Sequence, residues 1–530
     1  MNSSRSVSVA AFLVLLIFCY LAFFWRLGDY GLWDPDEGRS GVIAKELLAS
    51  GNLLTLTRDG KPYYDKPALF YWLVAIGLQL FGLGEVAVRL PSAIAATLTV
   101  GCVYVFGGAL KDWRWGFWSS LVLVTSLEFV ALGRFGNIDM VFTFFFTSAL
   151  LYFLWWFKDR SGRRIWPFYI FMALASLTKG PVGVLLPCLI VGLALGWKEK
   201  WAVWRELRSG QGVAVILGVA GPWYLLAGLR DPAYVWTFLW DHNLLRFFTS
   251  QPGIDHPEPF YYLFFVLVGG FLPWVLFLPA VGHSLWKGSE ETKFFLMVWA
   301  VTVLVFFSLS RNKLGTYILP AFPPLALLTG DLLRRVAVGS DVHPSGVRWI
   351  LGAGLLWLGM LLFITPLTGF ILSSRYPHYF STVAPLWPPA LFVLVALIAS
   401  AIGRQRTIPF LVSLSVVWLV AWFYKVKAPE VSGLRSARAM AQVINANGMK
   451  EFRVARLHAD SLSYYLSRPV RVVSHPGEIE ALLREPVPTV ALVKEKHLRE
   501  LTGLPSSRLF VWKRVPSANA LVANFPPPDA

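Results

Sequence analysis

The sequence predicts an α-helical polytopic membrane protein of about thirteen transmembrane helices with a small C-terminal α/β domain. Three observations carry this. Apolar runs of about twenty residues, the length that crosses a bilayer, recur along most of the 530-residue chain. The chain is 56% hydrophobic with a mean hydropathy of +0.57, and only 15% of it is charged, where a soluble protein carries roughly a quarter. The last stretch changes character: short strand-like runs replace the long apolar ones.

Helix-length runs fall at 7–25, 89–110, 116–134, 139–157, 166–178, 181–197, 212–228, 260–280, 294–309, 315–331, 348–372, 387–403 and 407–424. The first, from Val7 to Trp25, reads as a retained anchor, because it is too long for a signal h-region and lacks a clean small-residue cleavage site. A further run, 68–82, opens at Pro67 and is short of the roughly twenty residues a span needs. Charge decides its place. If 68–82 does not cross and the N-terminus with Arg5 is inside, the clusters "KDWRW" (111–115), "KDRSGRR" (158–164) and "WKEKWAVWRELR" (197–208), the 283–293 loop, "DLLRR" (331–335) and "RQR" (404–406) all fall inside. That is what the positive-inside rule requires. Residues 68–82 are therefore expected to form an interfacial or partly re-entrant helix. The outer face then holds 26–88, 135–138, 179–180, 229–259, 310–314, 373–386 and everything after 425.

The same loops account for the net charge of +17. No basic patch is interleaved with soluble aromatics, so nucleic acid is not an expected partner. Cys19, Cys102 and Cys188 all lie in apolar runs, which leaves no disulfide framework and no zinc-finger spacing. The expected division is a membrane domain, 1–424, whose loop 26–88 carries interfacial helices, and an α/β domain, 425–530. In the latter, strands are expected at 452–457, 470–474, 489–494 and 509–514, and the tail "NFPPPDA" is expected to be disordered.

Polar residues concentrate on the outer face. In "GLWDPDEGRS" (31–40), Asp34, Pro35 and Glu37 fit a capping box that starts a helix, but that reading leaves Asp36 unexplained. "YYDKP" (63–67) adds Tyr63, Asp65 and Lys66, "GNID" adds Asp139, and "TKGP" adds Lys179. "WDHNLLRF" and "DHPEP" supply Asp241, His242, Arg246, Asp255 and His256, and "SRNKLGTYILP" supplies Arg311, Lys313 and Tyr317. Arg311 and Lys313 run against the positive-inside pattern, and Lys179 is costly at membrane depth unless it is paired or faces a polar cavity. Cations beside carboxylates at a membrane surface suit the handling of an anionic group on a lipid. A lipid-linked sugar transporter would place its polar residues near mid-bilayer and show symmetry between halves. No internal repeat is visible, and Glu128 is the main ionisable residue inside a span. A non-catalytic scaffold leaves the clustered acids and bases unexplained.

The stretches "WDPDEGRSGVIAKELLASGNL", "RDGKPYYDKPALFYWLVAIGLQLFG", "RLPSAIAATLTV", "GNIDM", "TKGPVG", "KLGTYILPAFPPLALL" and "SLSYYLSRPV" resemble the dolichyl-phosphate-mannose-protein mannosyltransferase superfamily, and within it the bacterial lipid A aminoarabinose transferases. The resemblance implies a GT-C fold of thirteen spans with a periplasmic domain, in the bacterial inner membrane and monomeric. It implies single displacement, with inversion, of a sugar from an undecaprenyl-phosphate (polyprenyl-phosphate) carrier to a periplasmic acceptor. Lipid A is the first expectation, and a protein or glycan hydroxyl is the alternative within the superfamily. It puts the catalytic Asp on Asp36, with Glu37 and Asp139 beside it in the catalytic set. Lys66, Arg246 and Tyr317, joined by Lys179, fall to the carrier phosphate. Arg39, Tyr63, Arg311 and Lys313 fall to acceptor or substrate. Asp65 stands where the family has a Glu that helps bind a divalent metal, zinc in the family. His242 is the first choice for a metal-ligating histidine, with His256 and Asp241 as alternatives. Asp36 has two roles open to it: general base toward a hydroxyl acceptor, or positioning of an acceptor that is already anionic.

Overall fold

A computed structural model describes residues 2–197, 203–245, 248–249, 257–286, 290–338, 344–364, 367, 387–401, 407–446, 452–501, 509–515 and 519–527. The chain forms two compact units, one of residues 1–25, 64–70 and 92–422 and the other of residues 26–63, 71–91 and 423–530.

The first unit is helical. Every predicted span falls on a helix or on a bent pair of helices. Among the described residues, seven helices are long and apolar enough to cross a membrane, or nine if each of two bent pairs is one span. The predicted spans 166–178, 181–197, 348–372 and 387–403 are shorter apolar helices, and the ends of the last two lie outside the described residues. The helix Leu69–Phe81 has 13 residues. At 1.5 Å per residue it reaches about 20 Å, short of a hydrocarbon core of about 30 Å.

The Ile138–Asp159 and Gly315–Val338 helices are the most enclosed of the seven. Both bent pairs have local causes. Between Trp113–Val124 and Leu127–Gly133 the axis turns by 73°. There the Thr125 and Ser126 hydroxyls bond back to the carbonyls of Leu121 and Val122, a habit that bends helices. Between Tyr262–Gly270 and Trp274–Leu285 the turn is 99°, and Pro273 supplies no backbone donor. The two breaks meet: Leu127 N–H donates to the Leu272 carbonyl (3.2 Å) and Trp274 Nε1 to Thr125 Oγ1 (3.0 Å). At the end that the charge pattern assigns to the cytoplasm, Asp331 is buried, and Lys111, Lys293, Arg334 and Arg335 all stand within 3.3 Å of its carboxylate.

The second unit holds the helix Asp36–Ser50, a hairpin of β1 (Thr57–Arg58) and β2 (Lys61–Pro62), and a five-stranded sheet. The sheet strands are β3 (Arg453–Arg456), β4 (Val470–Val472), β5 (Thr489–Lys494), β6 (Phe510–Val515) and β7 (Asn519–Ala523), in the order β4-β3-β5-β7-β6. β3 pairs in parallel with β4 and β5, and β7 runs antiparallel to β5 and β6. The helices Asp460–Tyr465 and Pro476–Arg484 make the crossovers that parallel pairing requires. Met440, Ile444, Leu462 and Leu466 cover one face of the sheet, and Ile479, Leu482 and Leu483 cover the other. Central β5 therefore reads as a continuous apolar run.

Four of the five strands fall where expected; β7 is the addition. Asn524, in the tail expected to be disordered, is ordered: its side chain serves Thr489 N–H and the carbonyls of Leu483, Glu485 and Val487. Residues 528–530 lie outside the described residues. The division also differs from the one drawn at 424/425, because 26–63 and 71–91 pack with 423–530. The cause is visible at Gly38, where a β-carbon would stand 2.4 Å from the backbone nitrogen of Ser461.

The capping box expected at 34–37 is absent. Pro35 is the N-cap and makes no side-chain cap. Asp34 turns instead to Ser461, accepting from its N–H at 2.8 Å and from its hydroxyl. Glu37 does reach back, accepting from Trp33 N–H at 2.8 Å, but its principal partner is Arg89.

Candidate functional site

In the first unit, Asp65, Lys66, Asp139, Lys179, His242 and Tyr317 come from five separate stretches of sequence. Asn137 caps the Ile138–Asp159 helix by accepting from Asp139 N–H, which fixes the first turn and the Asp139 carboxylate on it. Lys179 ends the Ile165–Lys179 helix, where the dipole favours a cation. Gly180 follows at φ 99°, where a β-carbon would also stand 2.7 Å from the Phe238 ring. The glycine of "TKGP" thus lets the chain turn directly after the lysine. Lys179 pairs with Asp139, and both are buried. Its ammonium lies 4.1 Å from the Tyr317 ring centroid, with the Phe142 and Phe307 rings at 5.3 and 5.5 Å. The desolvation cost anticipated for Lys179 is met by an ion pair and by π-faces.

A cavity of about 250 Å³ adjoins this cluster. Its polar lining includes Lys66, Lys179, His242, Asn243 and Tyr317, while Val182, Leu185, Leu239, Leu244, Phe306 and Phe307 line it with apolar surface. His242 lies in the π-helix Thr237–Leu245, a form enriched at functional sites, and its Nε2 is 3.2 Å from Asp65 Oδ1. Among the described residues no three His, Cys, Asp or Glu side chains gather as a metal-binding group. Asp65 and His242 form a pair of the right donor chemistry for zinc, which takes about four ligands. His256 and Arg246 lie outside the described residues. Arg311 is exposed. Lys313 is buried, donates to the Glu258 carbonyl at 2.6 Å, and has its ammonium pKa lowered by burial.

In the second unit, Asp36 occupies the first turn of its helix with a side chain 45% exposed, and Arg39 holds its Oδ1 at 2.8 Å. Tyr63 is buried, and its hydroxyl accepts from that of Tyr71 at 3.3 Å. Glu37 is fully enclosed. Arg89 grips its two oxygens at 2.7 Å each and spends its remaining donors on the carbonyls of Leu27, Tyr30 and Gly31. All five N–H groups of Arg89 are thus engaged, and the Tyr30 ring lies 3.8 Å below its guanidinium. The sequence motifs assign no role to Arg89, in "RLPS", or to Arg134, at the end of an apolar run. Arg134 is 0% exposed and donates to the carbonyls of Ala22 and Trp25. An arginine in or at the head of an apolar run is the available signal for both.

Known proteins resemble this chain in sequence and in fold. Residues 65–225 match the model of the dolichyl-phosphate-mannose-protein mannosyltransferase family. The structure resembles that of ArnT from Cupriavidus metallidurans bound to undecaprenyl phosphate, with a TM-score of 0.84 over 98% of both chains at 24% identity. The protein is therefore a GT-C membrane protein in fold. A relative from Pseudomonas fluorescens (Pf-5), undecaprenyl phosphate-alpha-4-amino-4-deoxy-L-arabinose arabinosyl transferase 1, is 34% identical over 66% of this chain and 65% of its own length. A second relative, from P. fluorescens Pf0-1, is 32% identical over 74% of this chain and 76% of its own. The first match thus spans just under two thirds of that relative. The chain belongs to the family of the undecaprenyl phosphate-aminoarabinose arabinosyl transferases.

Proposed function

We propose that the protein transfers a 4-amino-pentose from an undecaprenyl-phosphate carrier to lipid A, at the periplasmic face of a bacterial inner membrane. The observation that carries this is the cavity: two lysines and a tyrosine set among apolar side chains fit a phosphate that ends a lipid chain. The family names the carrier and the sugar for its relatives.

In the reaction the bond between the sugar's anomeric carbon and the carrier phosphate oxygen breaks, and a bond to an acceptor oxygen forms on the opposite face. The electron pair of the breaking bond leaves with the phosphate. Lys66 and Lys179 offset that growing charge, and Tyr317 donates a hydrogen bond to it. A lipid A phosphate oxygen is already anionic, so Asp36 then positions the acceptor; toward a hydroxyl it takes the proton. Asp139 holds Lys179 in place. A divalent ion, if bound, would take Asp65 and His242 as ligands and neutralise phosphate charge.

The test is transfer itself. Purified protein in lipid nanodiscs is given carrier radiolabelled in the sugar, with lipid A or without it. Label moving onto lipid A supports the reading. Transfer to peptide or glycan hydroxyls, with none to lipid A, overturns it.

A further inference from the structure

We propose that Glu128 recognises the positively charged amino group of the donor sugar. The inference rests on the donor proposed above, but the residue is singled out by the structure. Glu128 is half-buried at the start of the Leu127–Gly133 helix, and its Oε2 is enclosed without a hydrogen-bond partner among the described residues. No lysine, arginine or histidine among those residues forms an ion pair with it. A carboxylate at membrane depth is expensive and persists where it has a task. The ordinary alternative, a carboxylate satisfied by its own helix start, would leave Oε2 with a donor.

Glu128 follows directly on the place where the two bent helix pairs meet, joined by the Leu127–Leu272 and Thr125–Trp274 hydrogen bonds. Irregular backbone at this depth is tolerated where it is buried in protein or lines a cavity. Gly270 lets the neighbouring helix backbone pack directly against the Glu128 side chain; a β-carbon there would stand 2.2 Å from Oε2. Glu128 also lies within electrostatic reach of Asp139 and Tyr262.

Charge balance then points to the ligand. Asp139 and Glu128 are two carboxylates, and Lys179 serves the first of them. A primary ammonium on the sugar would serve the second, donating to Oε2. Carrier phosphate and sugar ammonium are opposite charges on one donor. Lys66 and Lys179 would hold the first, and Glu128 the second. A neutral hydroxyl or an acylated amine at the same position would leave the carboxylate unpaired.

The experiment compares two donors on one protein preparation, the free 4-amine and its N-acetylated form, each on undecaprenyl phosphate. The readout is the ratio of their kcat/KM values, from which the fraction of correctly folded protein cancels. The parent is expected to favour the free amine. Glu128→Gln should lower that ratio by about ten- to a hundred-fold, the scale of a charge-assisted contact. Glu128→Asp, which keeps the charge and allows a ratio to be read should the Gln variant fold poorly, should fall between the two. An unchanged ratio in both variants overturns the proposal. A parent that does not use the free-amine donor at all instead overturns the functional reading on which the proposal rests.

Discussion

Asp36 and Glu37 are neighbours with opposite surroundings. Glu37 is sealed in the grip of Arg89, and Asp36 stands half-open beside Arg39. Glu37→Ala leaves an uncompensated buried guanidinium and should destabilise the protein by about 3–5 kcal/mol, read as a lower thermal midpoint. Asp36→Asn keeps shape and should leave expression, melting and carrier binding near the parent's while turnover falls by about 100-fold. Parent-like turnover would move the catalytic assignment to another carboxylate. Lys66→Ala removes one phosphate contact and should weaken binding of undecaprenyl phosphate by about ten- to a hundred-fold in a direct titration. Unchanged affinity would remove Lys66 from the carrier site. Residue types and motif order made Lys66, Lys179 and Tyr317, which one cavity brings together, legible in the sequence. Arg89 gained its meaning only when folding brought Glu37 to it from 52 positions away.

The Asp36–Ser50 helix starts without the cap its sequence promises, because Asp34 serves Ser461 instead. Burial raises the Asp34 carboxyl pKa to about 7, against the lowering effect of the Ser461 hydrogen bonds. A carboxyl whose folded pKa lies above its unfolded one stabilises most below the unfolded value, near 3.9, and loses that contribution as pH rises through about 7. The parent should therefore melt lower at pH 8 than at pH 5. Asp34→Asn can keep both contacts to Ser461 without an ionisable proton and should flatten that dependence; identical pH profiles would refute the assignment. The helices were legible because an apolar run long enough for a bilayer has few other readings, and four strands were legible from alternation and bounding turns. The breaks at Thr125 and Pro273 and the strand β7 were not, since hydropathy is blind to a bend and β7 is held by pairing with β5 and β6.

Across the whole molecule, the charges used to read orientation also hold the fold together. Lys111, Lys293, Arg334 and Arg335 belong to loops or helix ends assigned to the cytoplasm, and all four converge on Asp331. Acidic residues contribute little to orientation. Asp331→Asn should therefore leave topology intact, read by cysteine labelling at position 111 from either side, while lowering the thermal midpoint, because the four cations lose the one buried anion they share and only Glu290 and Asp112 remain to balance them. Inverted labelling would show that Asp331 acts on orientation directly. The consequence reaches into biosynthesis. During synthesis Lys111 and Lys293 emerge before Asp331, so the insertion machinery meets these two cations before that anion exists. Arg334 and Arg335 follow it on the same helix and can pair with it at once. A single loop inserted in the wrong sense would strand Lys111 or Lys293 across the bilayer from Asp331, so the same contacts that join the finished helices can form only when every loop has landed on its proper side.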